Sequence, residues 1–122
     1  MSGSVCVIIP SVDNSTELGI AIDGLLDQTY SDISVVVVGP ESDSGKDVAE
    51  LKGVRFIDDR GSKTRADACN VALEQTESEF VFFTDDDVIV PKNWVSNLVR
   101  WFEREEVSGV GGPNFAPPEE ST

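Results

Sequence analysis

The sequence predicts an α/β domain built on a mostly parallel sheet of about five strands flanked by helices. Short apolar runs of strand length alternate with segments whose apolar residues recur at helical spacing. Strands separated by helices pair in parallel, through right-handed crossovers. One run, Phe80-Val81-Phe82-Phe83, is apolar throughout, as a strand buried on both faces would be.

The elements follow in order. Val5 to Ile9 is β-rich, is closed by Pro10, and reads as the first strand. Asn14 can cap the next helix, with Glu17 three residues on as the partner in a capping box. Leu18, Ile22, Leu25 and Leu26 then mark one helical face. Ile33 to Val38 is a second strand, ended by Gly39-Pro40, and a short helix is expected around Asp47 to Leu51. Val54 to Ile57 is a short third strand. Arg65, Cys69, Ala72, Leu73 and Thr76 mark one side of a helix over roughly Lys63 to Thr76, with Asn70 polar beside them. Glu79 to Thr84 is the fourth strand. Pro91 suits a helix start, and Trp94, Val95, Leu98, Val99 and Phe102 form an apolar face after it. Val107 to Val110 is expected to be a fifth strand, and residues 114–122 a linker or tail behind a domain of residues 4–113.

Composition narrows the function. A chain of 122 residues, 39% apolar, suits one domain with a single core. No apolar run approaches the roughly 20 residues that cross a bilayer, and the first residues carry no signal-peptide pattern. Cys6 and Cys69 lack a CxxC or Cys/His context, so buried thiols in a reducing, cytoplasmic compartment are expected. The absence of His excludes Ser-His-Asp chemistry and His-ligated zinc. A net charge of −14, from 23 acidic and nine basic residues, makes nucleic acid a poor partner. Acids spread along the chain suit solubility in a salt-loaded cytoplasm.

The chemistry gathers at Asp85-Asp86-Asp87, just after the fourth strand. Adjacent carboxylates repel, and a divalent cation is the simplest group to hold them together. Mg²⁺ and Mn²⁺ commonly bind one or two protein carboxylates together with substrate phosphates. Ligands of open parallel sheets sit beyond the carboxyl ends of strands. The triplet therefore points to a metal–phosphate site, with a solvated acidic turn as the alternative. Three of the nine basic residues, Arg60, Lys63 and Arg65, stand within six positions of one another before the third helix. They suit a diphosphate, or else pair with Asp58, Asp59 or Asp67.

Several segments together resemble family 2 glycosyltransferases. They are Val7-Ile8-Ile9-Pro10, the helix end Leu25-Leu26-Asp27-Gln28-Thr29-Tyr30, the strand Ile33 to Val38, Thr64-Arg65-Ala66 through Asn70, and Phe82 to Asp87. Pro91, Trp94 and Leu98 are similar to the helix after the family's DxD motif, and Gly111-Gly112-Pro113 to the strand end closing its donor half. The resemblance implies a GT-A fold with a Rossmann-like donor half that binds a nucleotide-diphosphate sugar. Pro10, Ser11 and Asp13 would lie along the nucleoside, and Arg65 would contact the nucleotide. Asp85 and Asp86 would meet the donor, and Asp85, Asp86 and Asp87 would hold Mn²⁺ or Mg²⁺. The implied reaction is inverting transfer to an acceptor hydroxyl. Family members usually carry a base-contacting Asp directly after the second strand. Here Gly39-Pro40-Glu41 stands there, which leaves Glu41 for that role. The catalytic base belongs to an acceptor half expected beyond Pro113, so the chain is expected to bind nucleotide and transfer no sugar alone.

Other classes fit less well. Nucleotidyltransferases need a Gly-rich basic loop after strand one, and Ser11 to Thr16 contains no Gly, Lys or Arg. A receiver-like module needs acids after strand one and a Lys after strand five, and Val107 to Pro113 lacks Lys. A non-enzymatic acidic interaction module, self-associating through a sheet edge or a face near Phe115, is the remaining alternative.

Overall fold

A computed structural model describes residues 4–105, with side chains to Trp101. The expected fifth strand, the tail over 114–122, Phe115 and the side chain of Phe102 lie outside the described residues. Strands and helices alternate: β1 (Val5–Pro10), α1 (Ser15–Leu26), β2 (Ile33–Gly39), α2 (Gly45–Lys52), β3 (Arg55–Asp58), α3 (Arg65–Glu74), β4 (Phe80–Phe83) and α4 (Trp94–Glu105). The four described strands form one sheet in the order β3-β2-β1-β4. Every pairing is parallel, with Val7 of β1 between Val35 and Phe82.

The strand period of two divides the core into two layers. Val5, Val7 and Ile9 join Val35, Val37 and Phe82 on one face, under Leu18, Ile22 and Leu25 of α1 and Trp94, Val95, Leu98 and Val99 of α4. Cys6 and Ile8 join Val36, Val38 and Ile57 on the other, under Ala68 and Ala72 of α3. All of β1 is buried, so its apolar residues are needed on both faces. Each such Val or Ile contributes roughly 1.5–3 kcal/mol through burial.

Three expectations are corrected. Phe82 alone is fully buried in β4, and Phe80, Val81 and Phe83 are half-covered. Among the described residues β4 has one neighbour, β1, and α3 packs over β1 and β2. Leu26 of α1 is 52% exposed. It follows Leu25 by one residue, which is about 100° around the helix and off the buried face. In α3 the covered side is Ala68 and Ala72, while Leu73 and Asn70 face solvent.

Asn14 does precede α1, yet its side chain makes no capping hydrogen bond, so the capping box does not close. Thr64 caps α3 instead, its Oγ1 accepting the Asp67 N–H at 3.0 Å. The Gln28-Thr29 pair also has a clear structural role. Gln28 donates from Nε2 to the carbonyls of Pro91, 2.7 Å, and Gly24, 3.2 Å. Its Oε1 accepts the Val95 N–H at 2.9 Å, and Thr29 N–H donates to the Lys92 carbonyl at 2.9 Å. Two residues at the end of α1 thus fasten the start of α4 and the loop that leads out of β4.

Candidate functional site at the carboxyl edge of the sheet

Parallel strands deliver all their carboxyl ends to one edge, and α1, α2 and α3 begin there. Helix N-termini carry partial positive charge, so that edge favours anions. It bears a cavity of about 410 Å³. The walls are Pro10, Ser11 and Val12 at the end of β1, Gly39 at the end of β2, Asp59 and Ser62 to Arg65 after β3, and Asp85, Asp86 and Asp87 after β4. A site of small-molecule size is expected at such a position in an open α/β sheet.

Gly39 is required by close approach. A Cβ there would lie 2.3 Å from the Ser11 carbonyl oxygen. The backbones of β1 and β2 therefore meet without a side chain between them, and the floor stays open. Ser11 is buried, and its Oγ donates to Asp86 Oδ2 at 2.9 Å. That bond ties the end of β1 to the triplet. Arg65 at the start of α3 donates to Asp85. Both partners are well exposed, so this pair positions the two groups more than it stabilises the fold. Asp87 is exposed. Lys63 lines the cavity and has no ion-pair partner among the described residues. Arg60 pairs loosely with Glu74, at 4.0 Å, rather than with Asp58, Asp59 or Asp67.

Two of the expected site residues stand outside the cavity wall. Glu41 is exposed, pairs with Lys46 at 3.2 Å, and gives its backbone N–H to Asp58 at 3.1 Å. Asp13 adopts φ 56°, a left-handed conformation that Asp tolerates better than most residues. Its N–H donates to Asp43 Oδ1 at 3.0 Å, and Asp43 Oδ2 accepts the Gly45 N–H at 2.9 Å. Asp43 thus joins the loop after β1 to the start of α2.

Asp59 was not among the expected site residues, only a possible ion-pair partner. It lines the cavity and is 5% exposed. The available signal was positional: Asp58-Asp59 ends a strand of a parallel sheet at the same edge as the triplet.

The donor set can be tested against a metal. Among the described residues no three carboxylates or thiols converge as a metal cage. Asp85 leans to Arg65 and Asp86 to Ser11, so the triplet is splayed. One or two carboxylates at a cavity mouth do suit Mg²⁺ or Mn²⁺, which complete their shells with water and phosphate oxygens. Asp86 and Asp87 fit that role. Neither cysteine lines the cavity. Burial raises the pKa of both Cys6 and Cys69, and nearby Arg65 partly offsets this at Cys69.

Comparison with known proteins agrees with this architecture. The fold is shared with the mannosyltransferase PcManGT from Pyrobaculum calidifontis, solved with GDP-Man and Mn²⁺ (TM-score 0.80, 23% identity, 88% of this chain and 34% of that one). It is shared also with glucosyl-3-phosphoglycerate synthase from Mycobacterium tuberculosis, solved with Mn²⁺, UDP and glucosyl-3-phosphoglycerate (TM-score 0.74, 17% identity, 86% and 41%). Glycosyltransferase GlyG from Streptococcus pneumoniae serotype 4 is 25% identical over 118 residues, 92% of this chain. The chain spans between 13% and 39% of the length of the curated relatives that it matches. Residues 6–122 match the family model described as Glycosyl transferase family 2. With the parallel sheet, the carboxyl-edge cavity and the family match over nearly its whole length, this chain belongs to glycosyltransferase family 2.

Proposed function

We propose that the chain binds the donor for a metal-dependent, inverting glycosyltransferase, holding a nucleotide-diphosphate sugar in the carboxyl-edge cavity. The observation that carries this is that the acidic triplet, Lys63 and Arg65 line one cavity, at an edge where three helices begin. Opposed charges there suit a ligand that brings both an anionic diphosphate and a cation. Lys63 is free to meet a phosphate oxygen as a point charge. Arg65 can exchange its contact with Asp85 for a phosphate, because the present pair is exposed and weak. Ser11 holds Asp86 in place before any ligand arrives, which lowers the ordering cost of binding. Asp86 and Asp87 would hold Mn²⁺ or Mg²⁺. When bound, the metal would neutralise charge on the departing diphosphate. Pro10, Ser11 and Val12 form the wall along which a nucleoside would lie. No described residue is assigned as the base that activates the acceptor hydroxyl.

A calorimetric titration with UDP, GDP and CMP, with and without Mn²⁺, tests this. Binding of one nucleotide that depends on Mn²⁺ and is lost in Asp85→Ala and Asp87→Ala is the expected outcome. Failure to bind any of them at low or high KCl would leave an acidic α/β module without nucleotide chemistry.

A further inference from the structure

Ser11 holds Asp86 at the cavity, yet the loop that follows Ser11 is fastened by a residue outside the cavity wall. We infer that Asp43 is a positioning residue of the carboxyl-edge cavity. It fixes the loop after β1, so that Ser11 stays bonded to Asp86 and the triplet is ordered before a ligand arrives. Its part in ligand binding rests on the donor-binding function proposed above.

Asp43 is itself held at four points. Its N–H donates to the Pro40 carbonyl at 3.0 Å, and its carbonyl accepts the Lys46 N–H at 3.2 Å. Its Oδ1 accepts the Asp13 N–H at 3.0 Å, and its Oδ2 accepts the Gly45 N–H at 2.9 Å. The loop on the other side of that contact has little else. Among the described residues no other hydrogen bond holds Val12 or Asp13. Asp13 also sits at φ 56°, which costs a non-glycine residue free energy unless its surroundings impose it. Two N–H groups arrive at the two oxygens of one side chain. A carboxylate accepts at both, whereas the amide of Asn has one acceptor oxygen.

The route from Asp43 to the triplet is short. Gly45 is buried, and a Cβ added there would lie 3.1 Å from Asp43 Oδ2 and 3.9 Å from Ser11 Oγ. Asp43 and Ser11 therefore close on the same point, which is left free of a side chain. Ser11 N–H donates to the Val38 carbonyl at 3.0 Å, so the sheet sets the backbone that enters the loop. Asp43 sets the backbone that leaves it, at Asp13. Ser11 and Val12 stand between these two fixed points, and both wall the cavity. Ser11 Oγ then reaches Asp86 Oδ2 at 2.9 Å. A carboxylate already held costs less to order when a ligand binds.

Asp43→Asn leaves one acceptor for two N–H groups. The full chain is titrated with UDP and GDP in the presence of Mn²⁺, as wild type, Asp43→Asn, Ser11→Ala and the double variant, with thermal melting to confirm folding. Each single variant is expected to bind the preferred nucleotide about tenfold more weakly, the loss expected for one charged hydrogen bond. Because both act on Asp86, the double variant should bind within about twofold of the weaker single one. Independent losses, as from general destabilisation, would multiply to about a hundredfold. A folded Asp43→Asn within about twofold of wild type, or losses that multiply, would overturn the assignment while leaving donor binding intact.

A second reading needs no ligand. In the protein free of metal and nucleotide, Asp43→Asn should shift the Asp86 backbone amide resonance and leave Phe80 and Val81, at the far end of β4, unmoved. The Asp86 response should vanish in the Ser11→Ala background. An unmoved Asp86, or a response that survives without the Ser11 hydroxyl, would overturn the assignment as well. Asp43→Glu, which keeps the charge and displaces both oxygens, takes the same tests if Asp43→Asn does not fold. Absence of nucleotide binding by wild type would overturn the donor-binding function, and the Asp86 resonance would then decide the positioning role by itself.

Discussion

Two cavities of nearly equal volume lie at opposite ends of the same sheet, and only one has the chemistry of a site. The carboxyl-edge cavity, about 410 Å³, is walled by Asp59, Lys63, Arg65 and the acidic triplet. The amino-edge cavity, about 400 Å³, is walled mainly by Cys6, Ile33 to Val36, Gly53 to Arg55 and Thr76 to Ser78. The difference follows from strand direction. Parallel strands put the N-termini of α1, α2 and α3, and their partial positive charge, at the first edge and their C-termini at the second, whereas α4 starts beside the end of α1. Arg55 at the amino edge donates to the Gln75 carbonyl, at 3.0 Å, as a cation near the end of α3 should. Volume alone therefore does not mark a site in this fold; the polarity of the edge does.

Substitutions at the two ends can break or sharpen that contrast. The largest effect is expected at the triplet. Asp86→Ala should weaken Mn²⁺-dependent nucleotide binding at least about tenfold, since it removes both a candidate ligand and the partner of Ser11. Arg55→Ala, at the other cavity, should leave calorimetric affinity unchanged; a comparable loss there would erase the distinction between the ends.

Next in size is a glycine at each edge. Gly39→Ala drives a Cβ into the Ser11 backbone and should cost about 1–3 kcal/mol in urea unfolding, together with nucleotide affinity. Gly53→Ala meets open space but sits at φ 75°. It should cost about 1 kcal/mol from backbone strain alone and leave affinity intact.

A pH dependence comes from the thiols, one of which lines the amino-edge cavity. Burial holds the Cys6 and Cys69 pKa above the ordinary 9.0. The folded state keeps these protons to higher pH than the unfolded chain does. Their stabilising contribution is full below 9.0 and is lost as pH rises through the folded values. Unfolding free energy should fall above that pH, and Cys6→Ala should flatten the fall. A slope unchanged by the substitution would remove Cys6 as its source.

The smallest effect is expected at Glu41. Glu41→Gln breaks only an exposed pair with Lys46 and should change stability by less than about 1 kcal/mol. Nucleotide affinity should not move. A clear loss of affinity would return Glu41 to the site.

Much of this was legible along the chain. Val5 to Ile9 and Ile33 to Val38 read as strands from their apolar, β-rich residues, and they form the centre of the sheet. Strand length, alternation with helices and the acids after Phe83 together located the carboxyl edge. Other features were not legible, for reasons particular to each. Leu26 and Asn70 were misjudged because a helical face is cut off by its neighbours, not by its own period. Glu41 follows the right strand, yet Lys46 and Asp58 hold it outside the cavity. Asp59 looked like half of an ion pair, and burial between the ends of β2 and β3 made it a wall of the cavity instead.

By itself the sequence determined the α/β class, the direction of the strands and the family, because burial pattern, element length and motif order are written locally. It determined also that three acids and a cluster of cations would reach one edge. Only the tertiary structure decided which of those charges meet. The parallel register brought Ser11 to Asp86 across 75 residues and Arg65 to Asp85 across 20. It left Lys63 free of ion pairs among the described residues and closed the backbone over Gly39 so tightly that no side chain fits. Long-range contacts of this kind depend on where strands end relative to their neighbours, and a one-residue shift of register would reassign every one of them.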